Sequence, residues 1–193
     1  EGGIGAASAA LSNPYPFERD AALIAEPTEL EVVTAVEGSV MKELRLQGKS
    51  AHAATRWRGE SVLPHFERIR AAFGDLERTR CERVSHPLYD YPVPWPITCG
   101  YIEAGDWGSS VPANLRSEWR LGVAPGETVE EVEREFEDQL AKLVEADDWL
   151  STNPPTFERF SIQFEPAQID ADEKIVMVLQ NSMIEKGITD TDP

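Results

Sequence analysis

The middle of the chain alternates between apolar and polar positions in a way that predicts β-strands. Residues 39–47 nearly alternate, and Lys42 is the exception on their apolar face. Residues 115–123 alternate throughout, residues 97–103 resemble a strand, and the alternation over 160–164 predicts a final strand. Period-two patterns of this kind are typical of strands with one buried face and one face in water.

Two segments between these strands have the spacing of amphipathic helices. Apolar residues recur every three or four positions over about 60–77 and predict the first helix. The second helix follows Thr128, which forms a capping box with Glu131. The order over 39–165 is therefore β-α-β-β-α-β, which is the signature of a ferredoxin-like sheet with both helices on one face. The fold class that this order predicts is α/β (α+β).

Shorter patterns outside this unit predict pieces of a larger α/β domain. The apolar run of residues 21–25 is typical of a buried parallel strand with a loop at its C-terminal end. Residues 32–36 form a second strand candidate, and residues 171–186 have the pattern of a helix. The predicted division is 1–37 and 166–193 for the larger domain and 38–165 for the inserted unit. Because the chain begins without Met and stops just after a helix, we interpret it as an excised fragment.

Composition narrows the classes of partner and compartment. The chain has 35 acidic and 18 basic residues and a net charge of −17, which argues against nucleic acid and against an anionic membrane as partners. Acids spread along the whole chain predict either a salt-tolerant, halophilic type of surface or an ordinary acidic protein. Cys81 and Cys99 are the only cysteines, which argues against a disulfide framework, and no apolar run reaches the roughly 18 residues of a membrane span. We therefore expect a cytoplasmic protein.

Three stretches of the chain together resemble one enzyme family. They are Asp20 to Thr28, Gly48 to Ala53, and Trp107 to Pro112 followed by Val123 to Glu127. They resemble the dinuclear-zinc amidohydrolases that include acetylornithine deacetylase, succinyl-diaminopimelate desuccinylase, aminoacylase and glutamate carboxypeptidase. The resemblance implies that the inserted unit is a lid and dimerisation domain flanked by parts of a catalytic domain. It also implies a homodimeric enzyme that hydrolyses an N-acyl amino acid, peptide or related amide with two zinc ions, which cobalt can replace.

The resemblance assigns one metal ligand within the chain. Glu26, in the Glu-Pro-Thr segment, matches a glutamate that binds one zinc ion at the end of a catalytic-domain strand. Carboxylates are ordinary zinc ligands, and open sheets place active sites at the C-terminal ends of their strands. Without the resemblance, a lone glutamate before a proline is more often a simple loop carboxylate.

His52 is the residue that the resemblance places in the chemistry itself. It matches a histidine of the inserted domain that reaches the active site of the partner subunit and stabilises the oxyanion of the tetrahedral intermediate. A donor aimed at developing negative charge lowers a reaction barrier by about 3 kcal/mol. The structural alternative is a histidine at the end of a strand that is satisfied by local hydrogen bonds.

Two further residues are candidates for substrate binding. Ser110 stands where many relatives have Asn, and Gly122 stands where many have Arg. Arg120 lies two residues before Gly122, hence on the same strand face, and could contact a substrate carboxylate. An exposed strand arginine without a ligand is the equal alternative for Arg120.

The family's remaining ligands and its catalytic Glu-Glu pair are not visible in this sequence. We therefore expect the intact protein to be the enzyme and the fragment alone to be inactive. Two alternatives have different consequences. The inserted unit could be a dimerisation module of a relative that has lost catalysis, or an unrelated ferredoxin-like domain that binds a small ligand without a metal. Intact upstream metal ligands would favour the enzyme.

Overall fold

Strands and helices alternate along the chain in the order that its polarity pattern predicts. The structure is a computed structural model, and it describes residues 11–12 and 20–188. The strands are β1 (Ala35–Val36), β2 (Gly38–Gln47), β3 (Ile97–Ala104), β4 (Asn114–Val123), β5 (Thr156–Arg159) and β6 (Ala167–Gln168). The helices are α1 (Leu63–Arg83), α2 (Val129–Ala146), α3 (Asp148–Thr152) and α4 (Lys174–Glu185), with a 3-10 helix over Ala53–Arg58.

The four long strands form one antiparallel sheet in the order β3-β4-β2-β5. With α1 between β2 and β3 and α2 between β4 and β5, this is the ferredoxin-like arrangement, so the predicted fold is confirmed. The chain divides into two compact units. One is Ala35–Ala167, and the other consists of the segments that precede and follow it.

One face of the sheet carries the core of this unit. Alternate residues of β2 and β4 are buried there against α1 and α2. The centre is aromatic, because Phe73 of α1 lies 4.8 Å from Trp119 of β4 and 4.1 Å from Phe136 of α2, measured between ring centroids. Thr128 and Glu131 form the predicted capping box at the start of α2. The opposite face of the sheet carries the charged residues, as the alternation predicts.

The prediction of a final strand over 160–164 was wrong, because the strand lies earlier, at β5. Ser161 has a φ of 61°, a left-handed conformation that ends the ladder. Beyond it, the side-chain amide of Gln163 takes the place of a strand partner: Met41 N–H donates to Gln163 Oε1 across 2.6 Å. Pairing resumes only as a single bridge between Ser39 and Phe164.

The prediction of a buried strand over 21–25 was also wrong. This segment is irregular and exposed, with Leu23 67% and Ile24 78% exposed. A central parallel strand needs a neighbour on each side and helices on both faces, and none of the described residues pairs with this segment. Over 32–36 only β1 is a strand, and α1 runs six residues beyond its predicted end at 77.

Candidate functional site

His52 lies in a loop that is closed at its neck. Lys49 and Glu60 exchange two backbone hydrogen bonds of 3.0 and 2.7 Å, which makes residues 49–60 a closed loop, here named the His52 loop. Glycines stand at both ends of the neck. A Cβ atom on Gly48 would lie 2.3 Å from Glu60 O, and one on Gly59 would lie 2.8 Å from Lys49 O. The loop therefore requires glycine at both positions.

A second segment, residues 107–112, lies against this loop. Ala53 N–H donates to Ser109 O, and Val111 N–H donates to Ala51 O, both across 2.8 Å. Between these hydrogen bonds, His52 and Ser110 face each other as an antiparallel bridge. The structure thus brings together two of the residues that the sequence singles out. They line an open depression of about 350 Å³ formed by residues 50–52 and 106–110.

The His52 ring is oriented by the backbone. Its Nδ1 accepts a hydrogen bond from Ala54 N–H across 3.1 Å, so the side chain caps the 3-10 helix. A neutral imidazole that accepts at Nδ1 carries its proton on Nε2. This Nε2–H has no partner among the described residues, and the ring of Trp107 lies 6.2 Å away, edge to face. His52 therefore offers one exposed, oriented donor.

Ser110 is less available for a ligand. Its Oγ lies 2.8 Å from Asp106 Oδ1 and 2.7 Å from the backbone oxygen of Trp107. A hydroxyl group has one proton, and here that proton is used within its own turn. The hydroxyl stabilises the segment that supports His52, although Ser110 lines the depression.

Arg120 lies elsewhere on the sheet. It pairs in register with Met41 of β2 and is six residues from the start of β4, which is about 20 Å along the strand. Its guanidinium group donates to the carboxylate of Glu37. The structure therefore does not bring Arg120 to His52, and its charge is already compensated.

Glu26 is exposed and lies in the irregular segment that precedes β1. Within the described part of the chain, no three side chains of the metal-ligating types lie close enough to hold an ion together. A structural or catalytic zinc ion needs at least three protein ligands. Glu26 supplies one carboxylate, so these residues do not form a zinc site by themselves.

The sequence prediction missed three residues of the His52 loop. Arg56, Trp57 and Arg58 lie in the 3-10 helix that His52 caps, and Trp57 is 75% exposed. Apolar periodicity cannot find such residues because none of them is buried. One sequence feature could have indicated them: residues 44–59 contain no acidic residue, although the chain is rich in acids.

Together, the four-stranded antiparallel sheet with two helices on one face and the closed His52 loop define an α+β domain. The chain belongs to the peptidase dimerisation domain family, whose model matches residues 34–148. None of the helices within the described residues combines the length and apolar character that a membrane span requires.

Solved structures share this fold at low sequence identity. An amidase of the hydantoinase/carbamoylase family from Burkholderia vietnamiensis is 16% identical, with a TM-score of 0.56 over 80% of this chain and 34% of its own. A related amidase from Burkholderia phymatum is 18% identical, with a TM-score of 0.54 over 79% and 35%. A tripeptidase from Staphylococcus aureus is 17% identical, with a TM-score of 0.52 over 81% and 37%. The chain thus spans about a third of the length of these proteins.

Proposed function

We propose that this chain is part of a zinc-dependent amidohydrolase that cleaves an N-acyl amino acid or a related amide, such as an acetylated or succinylated amino acid. Residues 38–165 serve as its lid and dimerisation domain, and residues 1–37 and 166–193 belong to its catalytic domain. The observation that carries this proposal is the oriented, unpartnered Nε2–H of His52 in a domain of the peptidase dimerisation family. Such a donor is suited to an oxyanion.

His52 acts on the active site of the other subunit in this proposal. The depression around it contains one carboxylate, Asp106, and that group is hydrogen-bonded to Ser110. The loop therefore supplies a donor but no set of metal ligands, so the remaining groups come from elsewhere. Bound zinc would supply a Lewis acid and an activated water, and Glu26 would contribute one ligand to it.

The surface through which two copies associate is the edge of the sheet at β3. Its outer side pairs with no other strand among the described residues, and Ile102 is 51% exposed on it. An open groove of about 420 Å³ lies between β3 and α1, lined by apolar and aliphatic groups that include Leu63, Phe66 and Ile102. The other edge, β5, has only four residues and follows two prolines. A long apolar edge beside a helix favours a two-fold dimer, because a two-fold axis pairs the edge with itself.

Mixed dimers of the full-length enzyme test this function. One protomer carries His52→Ala and the other carries Glu26→Ala, and each variant alone forms an inactive dimer. If His52 acts across the dimer, a mixed dimer has one complete site. Random mixing then restores about a quarter of the wild-type turnover, since half of the dimers are mixed and each has one site of two.

If His52 acts within its own chain, no mixed dimer has a complete site and mixing restores nothing. Full activity of the His52→Ala homodimer would remove His52 from the chemistry. Full zinc content in the Glu26→Ala protein would remove Glu26 from the ligands. A full-length wild-type protein that hydrolyses no N-acyl amino acid with zinc or cobalt would favour a non-catalytic dimerisation module.

A further inference from the structure

The surface around His52 differs in charge from the rest of the molecule. The chain has 35 acidic residues among 193, yet residues 44–59 and 107–117 contain none. The fold places these two stretches side by side through the hydrogen bonds of Ala51, Ala53 and Gly48 with residues 109–113. In a chain with a net charge of −17, two adjacent stretches without acidic residues concentrate positive charge, and Asp106 is the one carboxylate that lines the depression beside them.

Three basic residues in the His52 loop have no compensating partner. Elsewhere the buried and half-buried cations form ion pairs, as Lys42 does with Glu133 and Arg80 does with Glu127. Within the described residues, the side chains of Lys49, Arg56 and Arg58 take part in no ion pair or hydrogen bond. Their positive charge is therefore available to a ligand.

Each of these two stretches carries one large exposed aromatic side chain. Trp57 is 75% exposed and Trp107 is 66% exposed, and the 3-10 helix that carries Trp57 has no buried residue. Exposed tryptophans beside arginines are typical of contact surfaces, because the indole ring contributes apolar area and arginine contributes directed hydrogen bonds.

We propose that Arg56 and Arg58 determine substrate specificity by binding a second carboxylate, so that the preferred substrate is a dianionic N-acyl amino acid. This inference rests on the proposed function. Arg56 follows His52 by four residues in the same closed loop, and Thr55 N–H donates to His52 O across 2.8 Å, so the turn that begins at His52 keeps Arg56 within reach of a ligand that contacts Nε2. The planar guanidinium group binds carboxylates through paired hydrogen bonds. Two uncompensated guanidinium groups favour a ligand with more than one negative charge.

Matched pairs of substrates test the charge requirement in the full-length enzyme. N-acetylglutamate and N-acetylglutamine differ by one charge on the amino acid, and N-succinylalanine and N-butyrylalanine differ by one charge on the acyl group. We expect the wild-type enzyme to prefer the dianionic member of at least one pair. The double variant Arg56→Gln/Arg58→Gln should lower kcat/KM for that member about tenfold or more, mainly through KM, and leave its monoanionic counterpart within about threefold.

The control is Arg134→Gln/Lys142→Gln, which removes the same charge from exposed residues of α2 that form no ion pair within the described residues.

Calorimetric titration with the dianionic compounds separates binding from turnover. Hydrolysis with no difference between the dianionic and monoanionic members, or equal losses in both double variants, would overturn this inference and leave the proposed function intact. Binding that depends on Arg56 and Arg58 without hydrolysis would overturn the function and support only the binding of a second carboxylate by these residues. A wild-type protein that neither binds nor cleaves these compounds would overturn both.

Discussion

The ammonium group of Lys42 lies 2.8 Å from the carboxylate of Glu133, between the sheet and helix α2. Lys42 is 2% exposed on the apolar face of β2, and it also contacts Glu137 at 2.6 Å and the ring of Phe157 at 4.9 Å from its centroid. Helix α2 thus supplies the partners that make a lysine tolerable on the buried face. Removal of one partner from a buried ion pair is costly where it leaves the other charge unpaired, whereas replacement of the whole pair by apolar residues of similar volume is often nearly neutral.

We predict that Lys42→Ala lowers the free energy of unfolding by about 2–4 kcal/mol and that Lys42→Met lowers it by less than about 1 kcal/mol. Methionine fills the space beside Phe157, and Glu133 keeps its hydrogen bonds from Arg159. Urea unfolding measures both variants, with Lys142→Ala on exposed α2 as the control. Equal losses in the alanine and methionine variants would show that the charge, and not the volume, is what matters.

Gly59 carries a second prediction, because its position sets the shape of the His52 loop. A Cβ atom there would lie 2.9 Å from Ala51 Cβ and 2.8 Å from Lys49 O. We predict that Gly59→Ala costs about 1–3 kcal/mol of stability and, by displacing His52, lowers the proposed amidohydrolase turnover of the full-length protein. The control is Gly74→Ala in α1, where nothing lies within 4 Å, and it should raise stability by about 0.5–1 kcal/mol. Normal turnover of Gly59→Ala would mean that the loop adapts.

The sequence predicted the sheet and its two helices because the alternation in β2 and β4 and the stripes in α1 and α2 are local properties. Tertiary effects account for its failures. The last strand was misplaced because Ser161 adopts a left-handed conformation and Gln163 replaces a strand partner with its side chain. Leu23 and Ile24 were assigned to a buried strand because they lie in an apolar run. Such a run is typical of a strand that is covered by other strands and helices, but it does not show whether these elements lie beside it.

The candidate site could be predicted in part for similar reasons. His52 and Ser110 each stood out through a stretch of the resemblance, but the bridge that joins them was not predicted. Nothing in the sequence shows that Arg120 would form an ion pair with Glu37, since these residues are 83 positions apart. The charge of Arg56 and Arg58 was visible, but its significance depends on which acidic residues lie near them in space.

His65 provides a prediction about pH. Its ring stacks on Trp149 with centroids 3.6 Å apart, and Arg68 donates to its Nδ1 across 2.7 Å. Burial, together with the charge of Arg68, lowers the pKa of His65 below 6.5, although Asp147 and Glu60 oppose this shift. As the pH falls below 6.5, the unfolded chain therefore takes up the proton first.

Stability should accordingly decrease as the pH falls from 7 to 5, and part of this decrease should disappear in His65→Phe, which keeps the stacking but does not titrate. Urea unfolding at a series of pH values measures the effect. His86→Gln, a change of the histidine between α1 and β3, is the control and should keep the wild-type slope. An unchanged slope in His65→Phe would assign the pH dependence to other groups.

The acidic surface makes a prediction about salt. If the net charge of −17 reflects a salt-adapted protein, molar KCl screens the self-repulsion, and Tm should rise continuously between about 0.1 and 2 M salt. An ordinary acidic protein should show a small change that levels off once the Debye length is below about 8 Å, near 0.15 M. Thermal unfolding at several KCl concentrations distinguishes these outcomes, and equal ionic strengths of NaCl control for the cation.

The proposed dimer surface can be tested by one charge at the edge of the sheet. Ile102 is 51% exposed on β3 beside the groove with α1, and Leu88 is 52% exposed in the segment between α1 and β3. Ile102→Asp places two like charges near the proposed two-fold axis and removes apolar contact area, so we expect the dimer dissociation constant of the full-length protein to rise about tenfold or more. Leu88→Asp adds the same charge at a similar exposure and should leave the dimer dissociation constant unchanged.

Sedimentation velocity over a concentration series measures both constants, and circular dichroism verifies that both variants fold. Because His52 is proposed to act across the dimer, turnover of Ile102→Asp should fall with dilution in parallel with dimer content. A dimer that is equally stable in both variants would place the interface elsewhere.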